Sequence, residues 1–214
     1  ALETIEKYKV TDSQWVPTHF VRMLKLDPEV RTRYDLSSHQ RALHAAAPCP
    51  VPIKREMIEW WGPIINEYYA GSEGIGMTLI KAEDWLTHPG SVGKAIHGTL
   101  HVCDAEGEEL PAGRDGLLFF ENDQIPTYHN DPEKTREAMH PKGWMTLGDI
   151  GHVDEDGFLF LTDRKSHMII SGGVNIYPQE IENLLVTHDK VMDAAVIGAP
   201  CPDFGEKVVA VVQP

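Results

Sequence analysis

Cysteine is scarce in this 214-residue sequence: Cys49, Cys103 and Cys201 stand singly, without the paired spacing of a zinc site or the even number of a disulfide framework. They read as reduced thiols of a cytoplasmic protein. There is no apolar run near the ~18 residues of a membrane-spanning helix, no signal peptide and no initiator methionine, so nothing marks secretion or an integral membrane segment. Basic residues are few: 19 Lys and Arg against 33 Asp and Glu give a formal charge of −14, with no basic cluster beyond short pairs. Phosphate backbones and anionic lipids recruit basic patches, so neither nucleic acid nor membrane is expected as a main partner. Repeats and low-complexity segments are also missing. What is present is a 42% hydrophobic chain, long enough for a core and for one or two domains. It stops inside an expected strand, at Val211-Val212-Gln213-Pro214, and reads as a piece of something longer.

From Thr11 to Leu26 the apolar residues recur at helical spacing, with Pro17 as an interruption and Asp27-Pro28 as a stop. The lone His19 within it reads as structural. Arg41 to His44 predicts a strand ending at Ala45-Ala46-Ala47-Pro48, which serves either as a tight connection or as a thin wall against which a flat base could lie. Pro52 to Trp61 predicts an amphipathic helix with Ile53, Met57, Trp60 and Trp61 inward, capped by Gly62. Ile64 to Gly74 predicts a strand running into the small-residue turn Ala70-Gly71-Ser72-Glu73-Gly74. In open α/β sheets, ligands gather at such carboxyl ends.

Between Ser91 and Phe120, short apolar runs alternate with Gly and Pro turns, as in antiparallel sheet. His97 and His101, four apart, would share one strand face, but without a third ligand they do not make a metal site. Asp131 is an expected N-cap and Pro132 a first-turn residue of a short helix to Met139. Val191 to Gly198 and Val208 to Val212 read as strands around an Asp203-Phe204-Gly205 turn.

The densest stretch runs from Trp144 to Glu182. Asp149 follows Gly148 at an expected strand end, where a carboxylate beside open backbone suits a diol. Val153 to Thr162 predicts a hairpin turning at the acidic residues and Gly157. Asp163-Arg164 ends its second strand, Met168-Ile169-Ile170 is a short strand, Gly172-Gly173 a loop open to close approach, and Pro178 a helix start.

Thr162-Asp163-Arg164 through Gly172-Gly173-Val174-Asn175-Ile176-Tyr177-Pro178-Gln179-Glu180-Ile181-Glu182, joined to Tyr69-Ala70-Gly71-Ser72-Glu73, resembles the acyl-CoA synthetase branch of the AMP-forming adenylating superfamily. The resemblance implies an α/β fold comprising part of the large adenylating domain, with an α/β sheet layer at 1–90 and an antiparallel β subdomain at 91–162. The hinge and first half of the small mobile C-terminal α+β domain would follow at 163–214. It implies ATP/AMP, Mg²⁺ and coenzyme A as cofactors and co-substrates, and a small-molecule carboxylic acid, fatty or aryl, as substrate. By the same resemblance, Ala46, Ala47 and Pro48 wall the base; Tyr69 stacks on adenine, with Ala70 and Gly71 beside it. Ser72 donates to the α-phosphate, Glu73 holds the magnesium ion, Asp149 takes the ribose hydroxyls, and Arg164 approaches the same ribose. Asp163 becomes the hinge, and Gly172 and Gly173 line the passage for the CoA thiol.

Two departures qualify the likeness. The family carries Gly before the tyrosine where this chain has Thr127-Tyr128, and the family's Ser/Thr/Gly-rich phosphate loop and late lysine do not occur here. The chain by itself is therefore expected to be inert. Two rival readings are a noncatalytic nucleotide-binding or interaction module and a peptide-synthetase-type adenylation domain. Asn175-Ile176-Tyr177-Pro178 resembles free-standing CoA ligases more than the latter.

Overall fold

The structure, a computed structural model, describes residues 1–214. Its strands are β1 (Asp12–Trp15), β2 (Arg41–His44), β3 (Ile65–Ala70), β4 (Met77–Ile80), β5 (Ser91–His97), β6 (Thr99–Cys103), β7 (Gly116–Glu121), β8 (Asp149–Val153), β9 (Leu159–Arg164), β10 (Ile169–Ser171), β11 (Val174–Ile176), β12 (Asp193–Cys201) and β13 (Gly205–Gln213). The helices are α1 (Leu2–Tyr8), α2 (Pro17–Leu24), α3 (Pro28–Arg31), α4 (Val51–Trp61), α5 (Ala82–Thr87), α6 (Pro132–Glu137) and α7 (Pro178–Leu185).

Nine strands form one sheet in the order β1-β2-β3-β4-β5-β9-β8-β7-β6. β1, β2 and β3 are parallel, and their pairing requires the helical crossovers α2–α3 and α4. Every other neighbouring pair is antiparallel. The protein is thus a mixed α/β fold, as expected, with a second, four-stranded antiparallel sheet ordered β11-β10-β13-β12.

Apolar spacing over Thr11–Leu26 proves to be two elements. Pro17 does not interrupt a helix; it begins α2 at the first-turn position, where its missing N–H costs nothing, and Asp12–Trp15 before it is a half-buried strand. The main core lies between the parallel strands and these helices, where Phe20, Met57, Ile65, Ile80 and Trp85 are buried together. α4 matches the expected helix, with Ile53 and Met57 buried and Trp60 and Trp61 packed at the edge of the core. Unexpectedly, Lys54 is as buried as they are, at 0% exposure.

At the expected subdomain boundary of 90/91 the sheet is continuous: β5 pairs with β4 through Thr78↔Ala95 and with β9 through Gly93↔Leu159. Gly93 makes this double pairing possible, because its φ is +97° and a Cβ there would lie 2.0 Å from the Leu79 carbonyl oxygen. His97 and His101 do not share a strand face. Gly98 separates β5 from β6, and His97 meets Asn122 while His101 sits between Glu109 and Glu121.

In the second sheet, β12 and β13 form the expected hairpin, closing at Cys201↔Gly205. α7 lies over it, with Glu182 Oε1 accepting from the Val196 amide at 2.7 Å. Lys25, at the end of α2, donates to the carbonyls of His188 and Val191 and so ties the large sheet's helical layer to this smaller unit. No helix is long and apolar enough to cross a membrane.

Candidate functional site

A cleft of ≈ 770 Å³ opens where the carboxyl end of β3, the loop after β2, the β8–β9 pair and the first turn of α7 meet. Tyr69, Asp149 and Arg164 come together in it. Asp149 and Arg164 face each other across the β8–β9 ladder, which brings Arg164 Nε to 3.3 Å from Asp149 Oδ1. Tyr69, 80 residues before Asp149, donates its hydroxyl to Asp149 Oδ2 at 2.6 Å. Burial and the neighbouring carboxylate push the Tyr69 phenol well above its ordinary pKa, so it is a donor at any physiological pH. Asp149 is 7% exposed and keeps a rim of carboxylate on the cleft.

Ala46, Ala47 and Pro48 also line the cleft. Ala46 has φ +78°, a left-handed conformation that is uncommon outside glycine. It turns the chain just past the end of β2.

Ala70, Gly71, Ser72 and Glu73 line the next part of the cleft. At Gly71 a Cβ would come within 2.7 Å of both Glu73 Oε2 and Leu147 Cδ2, so glycine is what lets the Glu73 carboxylate fold back beside the strand end. Glu73 Oε1 accepts from the Tyr128 hydroxyl at 3.1 Å. Lys134 Nζ rests 4.2 Å from the centre of the Tyr128 ring.

Asp163 joins the two units. Its Oδ1 accepts from its neighbour's amide, Arg164 N, at 2.6 Å, and its Oδ2 from Gln179 N at 3.1 Å, in the first turn of α7. Of the predicted site residues, Gly172 and Gly173 alone do not line the cleft. They form the turn between β10 and β11, with φ +57° and +83°, Gly172 lying beside Phe204.

Beneath the cleft lies a group of charges that sequence reasoning missed. Glu67, two residues before Tyr69 and on the same face of β3, is 5% exposed, and its Oε2 contacts Lys54 Nζ at 2.5 Å. Burial pulls the Lys54 ammonium down and pushes the Glu67 carboxyl up, while their contact opposes both shifts. The signal was spacing: positions 54, 57, 58 and 61 lie on one helical face, so Lys54 belonged to the inward stripe. Lys134 carried no signal, because an exposed helix predicts a solvated lysine.

His44 completes this group. Its Nε2 is 3.4 Å from Glu67 Oε2 but out of line for a hydrogen bond, and both ring nitrogens lack a partner. Burial first, then the Lys54 charge, moves its pKa from 6.5 down to about 2. The unfolded chain therefore takes a proton below pH 6.5 that the folded chain refuses. The stability contributed by neutral His44 is whole above 6.5 and is lost progressively as pH falls toward 2, by up to ~1.4 kcal/mol per pH unit. Between pH 7 and pH 5 the wild type is expected to lose roughly 2 kcal/mol more than His44→Gln, read from urea midpoints. Equal losses in the two proteins would contradict this assignment.

The chain is similar to known proteins over nearly its whole length. The profile of the AMP-binding enzyme family matches residues 1–126, and that of the AMP-binding enzyme C-terminal domain matches residues 180–214. The long-chain-fatty-acid–CoA ligase of Bacillus subtilis is 35% identical over 214 residues, covering 99% of this chain and 38% of that protein. A 2-succinylbenzoate–CoA ligase of Bacillus cereus is 34% identical over 177 residues, covering 82% of this chain and 37% of the relative. The chain thus spans well under half the length of these relatives. Among solved structures, ATP-bound MatB from Rhodopseudomonas palustris superimposes with a TM-score of 0.85 at 32% identity, covering 99% of this chain and 42% of that one. The amide bond synthetase McbA from Marinactinospora thermotolerans gives 0.84 at 32% identity, covering 99% and 44%.

Proposed function

Because this chain belongs to the AMP-binding enzyme family, we propose that its cleft is the adenosine-and-magnesium half of the active site of an ATP-dependent carboxylic acid–CoA ligase acting on a fatty or aryl acid. The observation that carries the reading is the convergence of Tyr69, Asp149 and Arg164 within hydrogen-bonding reach at the end of β3. An aromatic face beside a carboxylate acceptor is what a nucleoside needs: a surface for the base and two lone pairs for a diol.

In this reading adenine lies between the Tyr69 ring and the Ala46-Ala47-Pro48 backbone, with Ala70 and Gly71 at its edge. Asp149 accepts from both ribose hydroxyls, and Arg164 holds Asp149 while approaching the same sugar. Ser72 offers its hydroxyl to the α-phosphate. Glu73, a hard carboxylate fixed by Tyr128, suits Mg²⁺, which takes one or two carboxylates together with phosphate oxygens and water. Bound magnesium would supply charge neutralisation on the phosphates. The acid's carboxylate oxygen attacks the α-phosphorus, pyrophosphate leaves, and the CoA thiol then attacks the acyl carbon and releases AMP.

Residues 163–214 are, in the same reading, the hinge and beginning of a mobile domain. Asp163, bonded to both β9 and α7, is the residue about which it turns. Gly172 and Gly173 lie away from the cleft in this arrangement, and we assign them to the CoA passage of the second half-reaction, after that turn. A free-standing CoA ligase is favoured over a peptide-synthetase-type adenylation domain by the Asn175-Ile176-Tyr177-Pro178 stretch, and a thiol acceptor is supported by the CoA ligases among the relatives.

The phosphate loop and late lysine of the family do not occur among these residues, so the 214-residue chain is expected to bind nucleotide without turnover. The test is incubation with ATP, Mg²⁺, CoA and mixed fatty and aryl acids, measuring AMP and acyl-CoA, alongside a version carrying the missing motifs. Turnover in the extended protein alone supports the reading. Turnover by the chain as it stands would mean that the essential groups have been assigned wrongly.

A further inference from the structure

Charge around the cleft is unevenly committed. Glu67, Glu73, Asp149 and Asp163 line it, against the cations Lys134 and Arg164 and the imidazole of His167. Glu67 is paired with Lys54, Arg164 with Asp149, and His167 Nδ1 lies 3.8 Å from Asp163. Lys134 is the one lysine or arginine of the cleft that makes no ion pair. It is nevertheless held in place. Asp131 Oδ1 accepts from the Lys134 amide at 2.9 Å, which fixes the start of its side chain, and the ammonium sits over the Tyr128 ring. The Tyr128 hydroxyl in turn reaches Glu73. An oriented, uncommitted ammonium thus stands on the Glu73 side of the cleft, at the opposite end of the Tyr69-to-Glu73 segment from the Tyr69–Asp149 contact.

We propose that Lys134 is a phosphate-binding residue of this cleft, its ammonium taking non-bridging oxygens of the nucleotide's polyphosphate while the Tyr128 ring holds the side chain in position. The inference rests on the cleft being a nucleotide site. Physically, a ligand bearing three or four negative charges is repelled by the carboxylates of the cleft, and an available cation offsets that repulsion alongside the magnesium assigned to Glu73. Lys134 supplies one as a point charge on a flexible stem, suited to an oxyanion whose position shifts as pyrophosphate departs.

The experiment is a chemical-shift titration of the 214-residue chain with adenosine, AMP and ATP, in wild type, Lys134→Gln and Lys134→Arg, with circular dichroism to check folding. Lys134→Gln is expected to weaken ATP by about ten-fold, AMP by less, and adenosine not at all, while Lys134→Arg restores most of the ATP affinity. Added salt should shrink the difference between wild type and Lys134→Gln for ATP. Unchanged ATP affinity in Lys134→Gln would overturn the proposal. Equal weakening of adenosine and ATP would overturn it too, showing Lys134 to be a prop for Tyr128 rather than a ligand. Failure of wild type to bind adenosine would remove the nucleotide site, and the proposal with it.

Discussion

Replacing Lys54 with methionine is expected to lower the unfolding free energy by about 3–5 kcal/mol, the usual cost of removing one partner of a buried ion pair. Lys54 and Glu67 are both out of solvent, and neither charge has another opposite charge in contact. His44, 3.4 Å from Glu67, could offset the carboxylate only if protonated, and the pKa of about 2 forbids that. Glu67 would then have to take up a proton to remain inside. A loss of this size is a large fraction of the ~5–15 kcal/mol available to a typical domain. The double variant Lys54→Met with Glu67→Leu should recover most of the loss, because an apolar pair of similar volume removes both desolvation costs together. Urea midpoints at neutral pH measure all three proteins. A single variant within ~0.5 kcal/mol of wild type would show that the pair is not a buried charge pair. The consequence reaches the cleft, since Glu67 forms its floor two positions from Tyr69.

Asp149→Ala should weaken AMP binding by about 10²-fold or more. Hydrogen bonds to a charged acceptor are worth ~1.5–3 kcal/mol each, and Asp149 is assigned two from the ribose. The fold should survive, because Arg164 is 62% exposed and can turn to water when its partner is removed. The control is AMP lacking both ribose hydroxyls: it should bind wild type more weakly than AMP does and lose little more on Asp149→Ala. If both nucleotides lose equally, Asp149 acts on the shape of the cleft and not on the diol.

Much of this was legible in the sequence where local chemistry dictates structure. The hairpins at 153–159 and 201–205, the Asp131 cap of α6, the proline starts of α6 and α7 and the β3 strand end depend on a few neighbouring residues, and the structure has them. The Tyr69-to-Glu73 turn and Asp149 stand out as strand ends with ligand-binding chemistry, the resemblance groups them, and they do share one cleft. The misses have a common cause in tertiary context. Pro17 can interrupt a helix or begin one, and only the pairing of Asp12–Trp15 with β2 decides. His97 and His101 were placed on one strand because nothing local shows that Gly98 turns the chain. The burial of Lys54 depends on Glu67 lying 13 residues ahead in the chain and opposite in space. Lys134 gains its place from Tyr128 and Glu73, the latter 61 positions before it in the chain.

A structure of the 214-residue chain crystallised with millimolar AMP tests the assignment of the cleft most directly. Adenine should lie on the Tyr69 ring against Ala46, Ala47 and Pro48, with both ribose hydroxyls within hydrogen-bonding distance of Asp149 and the phosphate directed toward Ser72 and Lys134. AMP bound elsewhere, or bound here with its ribose turned away from Asp149, would contradict it.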